Sequence, residues 1–117
     1  LMVQSVNVEL PIIAKAKQFI GEHYMEHLSL DQVSRIVNTS RFYFCKQFRQ
    51  ATGLSFTEFV SRTRIERAKH LLPNPNLRIS EIAFAAGFQS LGHFARMFKR
   101  IVGQSPTAYR DTLPAIA

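Results

Sequence analysis

The sequence ISEIAFAAG at residues 79–87 resembles LDQVSRIVN at residues 30–38, 49 positions earlier. One extra residue in the second turn raises the offset to 50, and the later positions then match in pairs: Ser40 with Ser90, Phe44 with Phe94, Phe48 with Phe98, Gly53 with Gly103, Ser55 with Ser105 and Phe59 with Tyr109. Each copy predicts a short helix, a turn and a longer helix with a Phe-x3-Phe pair inward and a basic face outward. This is the layout of a helix-turn-helix unit, so we expect the chain to contain two of them.

Breaks marked by glycine, proline and asparagine divide the chain into about seven helical segments. We predict helices over approximately residues 11–27, 30–37, 40–53, 55–72, 79–86, 90–103 and 105–109. No segment alternates like a strand, so the predicted fold class is all-α. The predicted domain plan is linker or cloning-derived residues at 1–10, a first helix-turn-helix subdomain at 11–53, a linker helix at 54–73 and a second helix-turn-helix subdomain at 74–117.

Phenylalanine is the main candidate for filling the core, since the chain has ten Phe and no Trp. In the first repeat, helical spacing places Phe44, Phe48 and Ala51 on one stripe. Phe94 and Phe98 form the same stripe in the second repeat. This spacing favours a core role for both pairs over base stacking.

Positive charge is concentrated in the later part of the chain, within a net charge of +7. Residues 40–117 carry 12 basic and 4 acidic side chains, and no acidic residue lies between Ile82 and Arg110. Clustered positive charge indicates a polyanionic partner, with nucleic acid as the leading candidate. A merely soluble basic surface accounts for the sign of the charge but not for its clustering.

Other global features exclude several classes of protein. No apolar run approaches the roughly 18 residues of a membrane span, and no signal peptide is visible at the start of the sequence. Cys45 is the single cysteine, which excludes an internal disulfide and fits a reducing compartment.

A DNA-reading helix needs an apolar stripe that holds it on its domain and an outer face that carries hydrogen-bond donors. The outer faces of the two longer helices carry Arg41, Lys46 and Arg49 in the first copy, and Arg96, Lys99 and Arg100 in the second. Two such helices enter successive major grooves if they lie about 34 Å apart. The segment 55–72 would span about 27 Å as a helix, which is the scale of a spacer between them.

Phosphate contacts are predicted at two kinds of position. The helix dipole near the N-terminal serines, Ser40 and Ser90, favours phosphate. Basic residues further along each helix lie where the helix leaves the groove floor, and these are Arg49, Lys99 and Arg100.

The second half of the chain reads IAFAAGF at residues 82–88 and HFARMFKRIVGQSPTAYR at residues 93–110. The first half reads SRFYFCKQFRQATGLSFTEFV at residues 40–60 and RIERAKHLL at residues 64–72. In these stretches the chain resembles the C-terminal DNA-binding domain of the AraC/XylS transcription regulators over about residues 11–111. The resemblance implies sequence-specific binding to double-stranded promoter DNA in the bacterial cytoplasm, at the nucleoid, and activation through contact with RNA polymerase. It also implies a separate sensing or dimerisation domain, often upstream, which we expect to lie outside this chain.

The resemblance also implies which positions face the bases. In the first recognition helix they are Arg41, Phe42, Cys45 and Lys46, and in the second they are Leu91, Gly92, His93 and Arg96. The family often has polar side chains where this chain has Leu91 and Gly92. Leu91 is left to pack on a thymine methyl group and Gly92 to allow close backbone approach, so His93 and Arg96 are the main polar readers of the second helix.

Several motifs have competing interpretations. The H-x-x-E-H pattern of His23, Glu26 and His27 is that of zinc hydrolases, but it also suits a solvated helix end. Gly87 and Gly92 have P-loop spacing, yet His93-Phe94 stands where Lys-Ser/Thr is required. An enzyme, with that zinc pattern as its only support, and a basic helical protein-interaction module are therefore the alternatives to a DNA-binding regulator. No catalytic residue, cofactor or metal is predicted.

Two further surface features are left open by the sequence. Phe42 lies off the core stripe and is either a reader in the groove or part of an exposed apolar contact. The linker helix carries four basic residues, Arg62, Arg64, Arg67 and Lys69. They either bind phosphate or form an ordinary solvated face. Arg64 is equally a candidate hydrogen-bond donor between the subdomains.

Overall fold

A computed structural model describes residues 9–114 of the chain. These residues form seven α-helices and no strand, which confirms the all-α prediction. The helices are α1 (Pro11–His23), α2 (Leu30–Ile36), α3 (Arg41–Thr52), α4 (Phe56–Leu71), α5 (Ile79–Ala85), α6 (Leu91–Val102) and α7 (Pro106–Asp111). The predicted segment 1–10 lies mostly outside the described residues.

The first helix is four residues shorter than predicted. It ends at His23 instead of His27, and a turn follows in which the Glu26 N–H donates to the His23 carbonyl over 2.9 Å. The carbonyls of Tyr24 and Glu26 accept hydrogen bonds from Arg64 on α4. Tertiary contacts therefore take the backbone acceptors that a longer helix would have used.

Four helices begin at the serines that the sequence favours as N-caps. The hydroxyl oxygens of Ser40, Ser55, Ser90 and Ser105 each accept a backbone N–H from the first turn over 3.1 Å. Such a cap contributes about 1 kcal/mol, since it satisfies one of the unpaired donors at a helix start. Gly53 and Gly103, both with positive φ, end the two long helices of the repeats.

Two separate apolar cores lie at the two ends of α4. The first core joins α1, α2, α3 and the first half of α4, and its largest fully buried side chains are Ile13, Ile20, Val33, Phe44 and Phe48. The second core joins the other half of α4 to α5 and α6, and its largest are Ile65, Leu72, Ile82, Phe94 and Phe98. We call these two halves of the molecule the first lobe and the second lobe. Since α4 supplies side chains to both cores, it is part of each lobe as well as a connection between them.

The core stripe of the first repeat differs from the predicted one at one position. Ala51 is exposed, whereas Thr52 is half-buried and donates its hydroxyl to the Phe48 carbonyl over 2.8 Å. Phe44, Phe48 and Thr52 are spaced four residues apart, so the stripe follows the i, i+4 row up to the helix end.

Candidate nucleic-acid interface

The outer face of α3 presents every side chain that the first repeat was predicted to direct at bases. Arg41, Phe42, Cys45 and Lys46 are all exposed, and Phe42 and Lys46 lie on the side of the helix opposite the buried Phe pair. Phe42 is 80% exposed, which makes it the most exposed large apolar side chain of the described residues. Arg41 lies 3.1 Å from the Asp31 carboxylate, and both side chains are largely open to solvent. Solvent competes with such a pair, so Arg41 can exchange Asp31 for a polyanion at little cost.

The outer face of α6 is equally open. Leu91, Gly92, His93 and Arg96 are exposed, and the His93 ring lies against Phe88 with the ring centroids 5.7 Å apart. A Cβ placed on Gly92 would lie 3.5 Å from an Arg96 guanidinium nitrogen. The Arg96 side chain therefore extends back along α6 toward its N-terminus, as long side chains on helices do. This brings the guanidinium to the end of α6 that a recognition helix inserts into the groove.

The two capping serines, Ser40 and Ser90, are exposed at the starts of α3 and α6. Each hydroxyl oxygen already accepts a backbone N–H, but a serine hydroxyl also carries a hydrogen that it can donate. Both positions suit a phosphate oxygen at a helix N-terminus. Their contact with phosphate stays a prediction.

Arg49 and Lys99 are exposed near the ends of α3 and α6, as a phosphate-binding role requires. Arg100 has a partner that sequence reasoning missed. Its guanidinium donates to both oxygens of Glu58 on α4, over 2.7 and 3.2 Å. Arg62 donates to the same carboxylate over 2.9 Å. A phosphate would have to compete with Glu58 for Arg100, and this contact stays a prediction.

The Glu58 carboxylate has a pKa shifted by the arginines around it. The hydrogen bond from Arg100 lowers the pKa of Glu58 below its ordinary value, partial burial opposes this effect, and Arg62 adds to the lowering. In return the Glu58 carboxylate raises the pKa of Arg100. This cluster joins the first turn of α4 to the last turn of α6.

Arg64 is the linker-helix arginine that the structure assigns to a structural role. Its Nε donates to the Tyr24 carbonyl over 2.7 Å, and its terminal nitrogen donates to the Glu26 carbonyl over 2.9 Å. Burial lowers the pKa of the Arg64 guanidinium below its ordinary value. Arg64 is thus a hydrogen-bond donor within the junction of the lobes, one of the three roles that the sequence allowed.

The zinc-hydrolase pattern does not form the arrangement that it requires. Two histidines must share a helix face, but α1 ends at His23, and His27 lies beyond the following turn. His23 Nδ1 lies 2.8 Å from the Glu26 carboxylate, an exposed contact at a helix end. Residues 9–114 contain no cluster of three His, Cys, Asp or Glu side chains that could hold a metal ion.

Neither recognition helix carries an acidic residue of its own. No Asp or Glu occurs between Asp31 and Glu58, or between Glu81 and Asp111. These two intervals contain α3 and α6 completely. The basic side chains of each recognition face are therefore not neutralised by acids of their own helix, which favours a polyanion at both faces.

A family model for helix-turn-helix domains of the AraC type matches residues 33–112. The chain belongs to the AraC family of DNA-binding domains. The fold and the family are those of DNA-binding transcription regulators, not of enzymes. No helix among the described residues has the length and apolar character needed to cross a membrane.

Curated and solved relatives agree with this AraC-type assignment. The "Msm operon regulatory protein" of Streptococcus mutans is 35% identical over 101 residues, which are 86% of this chain and 36% of that protein. The chain thus spans about a third of the length of this relative. Among solved structures, the C-terminal domain of AraT, a response regulator from Geobacillus stearothermophilus, is 34% identical with a TM-score of 0.86, over 93% of this chain and 90% of that one. The DNA-binding domain of AdpA, solved with a target DNA, is 28% identical with a TM-score of 0.79, over 85% and 89% of the two chains.

Proposed function

We propose that this AraC-type domain binds a bipartite site in duplex DNA, with α3 and α6 in successive segments of the major groove. The observation that carries the proposal is the repetition of one complete reading unit. Both helices begin at a capping serine, end at a glycine and are held by a buried Phe pair. Both also expose basic side chains and contain no acidic residue. The described residues extend 51 Å along their longest axis, enough for two contacts one helical turn, about 34 Å, apart.

The residues divide by chemistry into readers and anchors. Arg96 has a planar fork that pairs with guanine, while Phe42 and Leu91 suit the methyl group of thymine. Lys46 and His93 are the further polar readers, and Arg41 and Cys45 complete the exposed face of α3. The capping serines and the basic residues near the helix ends anchor phosphates, and these are Ser40, Ser90, Arg49, Lys99 and Arg100.

Selection of bound duplexes from a random library tests this function. We expect two conserved half-sites whose centres lie about one helical turn, 10–10.5 base pairs, apart. Affinity for the selected duplex should fall steeply with salt, because neutralised phosphates release counterions. Recovery of a single half-site would contradict the use of both helices. Recovery of no motif would leave non-specific binding and contradict the proposal as a whole.

We further propose that the complete protein is a bacterial transcription activator that contacts RNA polymerase in the cytoplasm. The family supports this role, and the Streptococcus mutans relative is named as an operon regulator. Transcription in vitro from a promoter carrying the selected site, with bacterial RNA polymerase and the protein, tests it. A rise in transcript that depends on the site supports activation, whereas an unchanged or reduced transcript contradicts it.

A further inference from the structure

The two lobes meet at a small polar junction made of the turn Tyr24–Glu26, Arg64 and Gly87. Arg64 lies in the middle of α4, between the part that enters the first core and the part that enters the second. Its guanidinium donates to two carbonyls of the turn that ends α1, over 2.7 and 2.9 Å. A planar guanidinium makes these two bonds in one fixed orientation, so it sets the angle between α4 and the first lobe at this point.

Gly87 brings the second lobe against the same turn. It lies in the turn between α5 and α6 with a φ of +103°, which glycine adopts at no steric cost. A Cβ at this position would lie 2.4 Å from the Tyr24 carbonyl oxygen and 3.0 Å from the Met25 Cα and the Arg64 Nε. The turn that precedes recognition helix α6 is therefore in backbone contact with the first lobe, and any side chain would separate them.

Apart from α4, which runs unbroken from one core into the other, little else in the described residues holds the lobes at a fixed angle. The two apolar cores are separate clusters, divided on α4 between Val60 and Ile65. The Glu58–Arg100 ion pair also links α4 to α6, but Arg100 is half exposed, and such pairs contribute little. Domains without a large apolar interface move relative to each other by default. Together with the stiffness of α4 itself, the junction is thus the main restraint on that motion.

A small rotation at the junction has a large effect on DNA reading. Over about half of the 51 Å long axis, a rotation of about 8° moves the far recognition helix by roughly 3.4 Å, one base-pair step. An angle that varies by this amount would let the protein accept half-sites at several spacings. A fixed angle selects one.

We infer that Arg64 and Gly87 set the spacing between the two half-sites, so that the junction, which reads no base, determines which operators the protein accepts. The inference rests on the bipartite binding proposed above. Arg64 acts here as a positioning residue.

The test measures affinity for the selected duplex with one or two base pairs added to or removed from its spacer. For the unaltered protein, a change of one base pair should reduce affinity about tenfold, or about 1.4 kcal/mol. For Arg64→Ala this penalty should shrink to about twofold, while base preference within each half-site stays the same. Arg64→Lys should behave like Arg64→Ala, because lysine keeps the charge but lacks the fork.

Matched controls separate the positioning role of the junction from the effects of lost positive charge and of backbone strain. Arg67→Ala removes a positive charge from an exposed position on the same helix and should keep the sharp spacing preference. Gly87→Ala should weaken the preference from the other side of the junction, because its Cβ displaces the Tyr24 carbonyl that Arg64 binds. Gly103→Ala introduces a side chain at a similar φ of +97° but meets nothing within 4 Å, so it should keep the preference. Comparison of folded Gly87→Ala with Gly103→Ala, and of folded Arg64→Lys with the unaltered protein, thus decides the question where Arg64→Ala reduces folding.

The outcomes distinguish failure of the inference from failure of the proposed function. If the unaltered protein shows a sharp spacing optimum and folded Arg64→Lys and Gly87→Ala variants keep it, the junction does not set the spacing. If Arg64→Lys retains the preference that Arg64→Ala loses, charge at this position matters and the positioning role is wrong. If the unaltered protein binds all spacings equally, the bipartite function itself fails.

Discussion

The Glu58 carboxylate accepts hydrogen bonds from two arginines, and these contacts lower its pKa. Its pKa in the folded protein is lowered, mainly by Arg100, below its ordinary value in the unfolded chain. The folded state therefore favours the ionised carboxylate. This contribution to stability is present above the unfolded pKa and is lost as the pH falls through the folded pKa.

We expect Glu58→Gln to lower the free energy of unfolding at pH 7 and to make it less dependent on pH below about pH 4.5. Urea unfolding of both proteins at several pH values measures this. The difference between them should shrink steadily as the solution is acidified. Glu66→Gln, which removes an exposed carboxylate with a single lysine partner, is the control and should have a smaller effect. A difference that is the same at all these pH values would show that the Arg100 contact adds no stability.

The same substitution tests whether Arg100 binds phosphate. Removal of the Glu58 carboxylate frees Arg100 and deletes a negative charge beside α6. We expect Glu58→Gln to tighten binding to all duplexes alike and to steepen the salt dependence by about one unit, because one more phosphate is neutralised. The double variant Glu58→Gln with Arg100→Ala should lose this gain. An equal gain in both variants would exclude Arg100 as an anchor.

At the scale of single residues, the sequence predicted which side chains are exposed better than it predicted their hydrogen-bond and ion-pair partners. Every residue named as a reader is exposed. For most of them the Phe-x3-Phe stripe predicts this, but Arg41 and Leu91 lie on the side of the stripe and are exposed because they begin their helices. The Glu58–Arg100 pair joins residues 42 positions apart, and only the crossing of α4 and α6 brings them together. Arg64 could be named as a candidate, but its carbonyl partners depend on where α1 ends.

At the scale of helices, capping chemistry is what made the boundaries predictable. Ser40, Ser55, Ser90 and Ser105 each cap a helix at the predicted start, because a serine hydroxyl satisfies a backbone donor by local geometry alone. The predicted end of α1 was wrong for the opposite reason, since the observed end does not depend on local geometry. It is set by an arginine 40 residues further along the chain, which no local pattern indicates.

The position of a basic residue along its recognition helix should decide its role. Arg96 extends toward the N-terminus of α6, where the groove floor lies, whereas Lys99 is exposed one turn further on. We expect Arg96→Ala to relax base preference in one half-site, at a cost of about 1–3 kcal/mol of discrimination. Lys99→Ala should weaken binding to all duplexes equally. It should also reduce the slope of log affinity against log salt concentration by about one unit.

Binding profiles over a library of single-base variants of the selected site measure both effects. The other half-site, read by α3, should keep its preference in each variant and serves as an internal control. An even loss of affinity across the library for Arg96→Ala, or altered preference for Lys99→Ala, would reverse the assignment of reader and anchor.

At the scale of the whole molecule, the two-lobed plan followed from the internal repeat, but the role of α4 did not. The sequence indicated a spacer between two subdomains. In the structure, Val60 lies in the first core and Ile65 in the second, so one helix is built into both. Its apolar positions are visible in the sequence, but which core each one enters depends on how the lobes are placed around the helix.

Because α4 is shared, the effect of a core substitution on each helix can be predicted. Phe48 and Phe98 are fully buried in different cores, so Phe48→Ala and Phe98→Ala should each cost about 3–5 kcal/mol. In native-state hydrogen exchange, Phe98→Ala should accelerate the amides of α5 and α6 far more than those of α1 and α3, and Phe48→Ala should do the reverse. The amides of α4 should accelerate in both variants, because either core supports them. Phe84→Ala, at a side chain 55% exposed on α5, is the control and should change little. Equal acceleration of both lobes by either core variant would mean that they unfold as one unit, coupled through α4 and the junction.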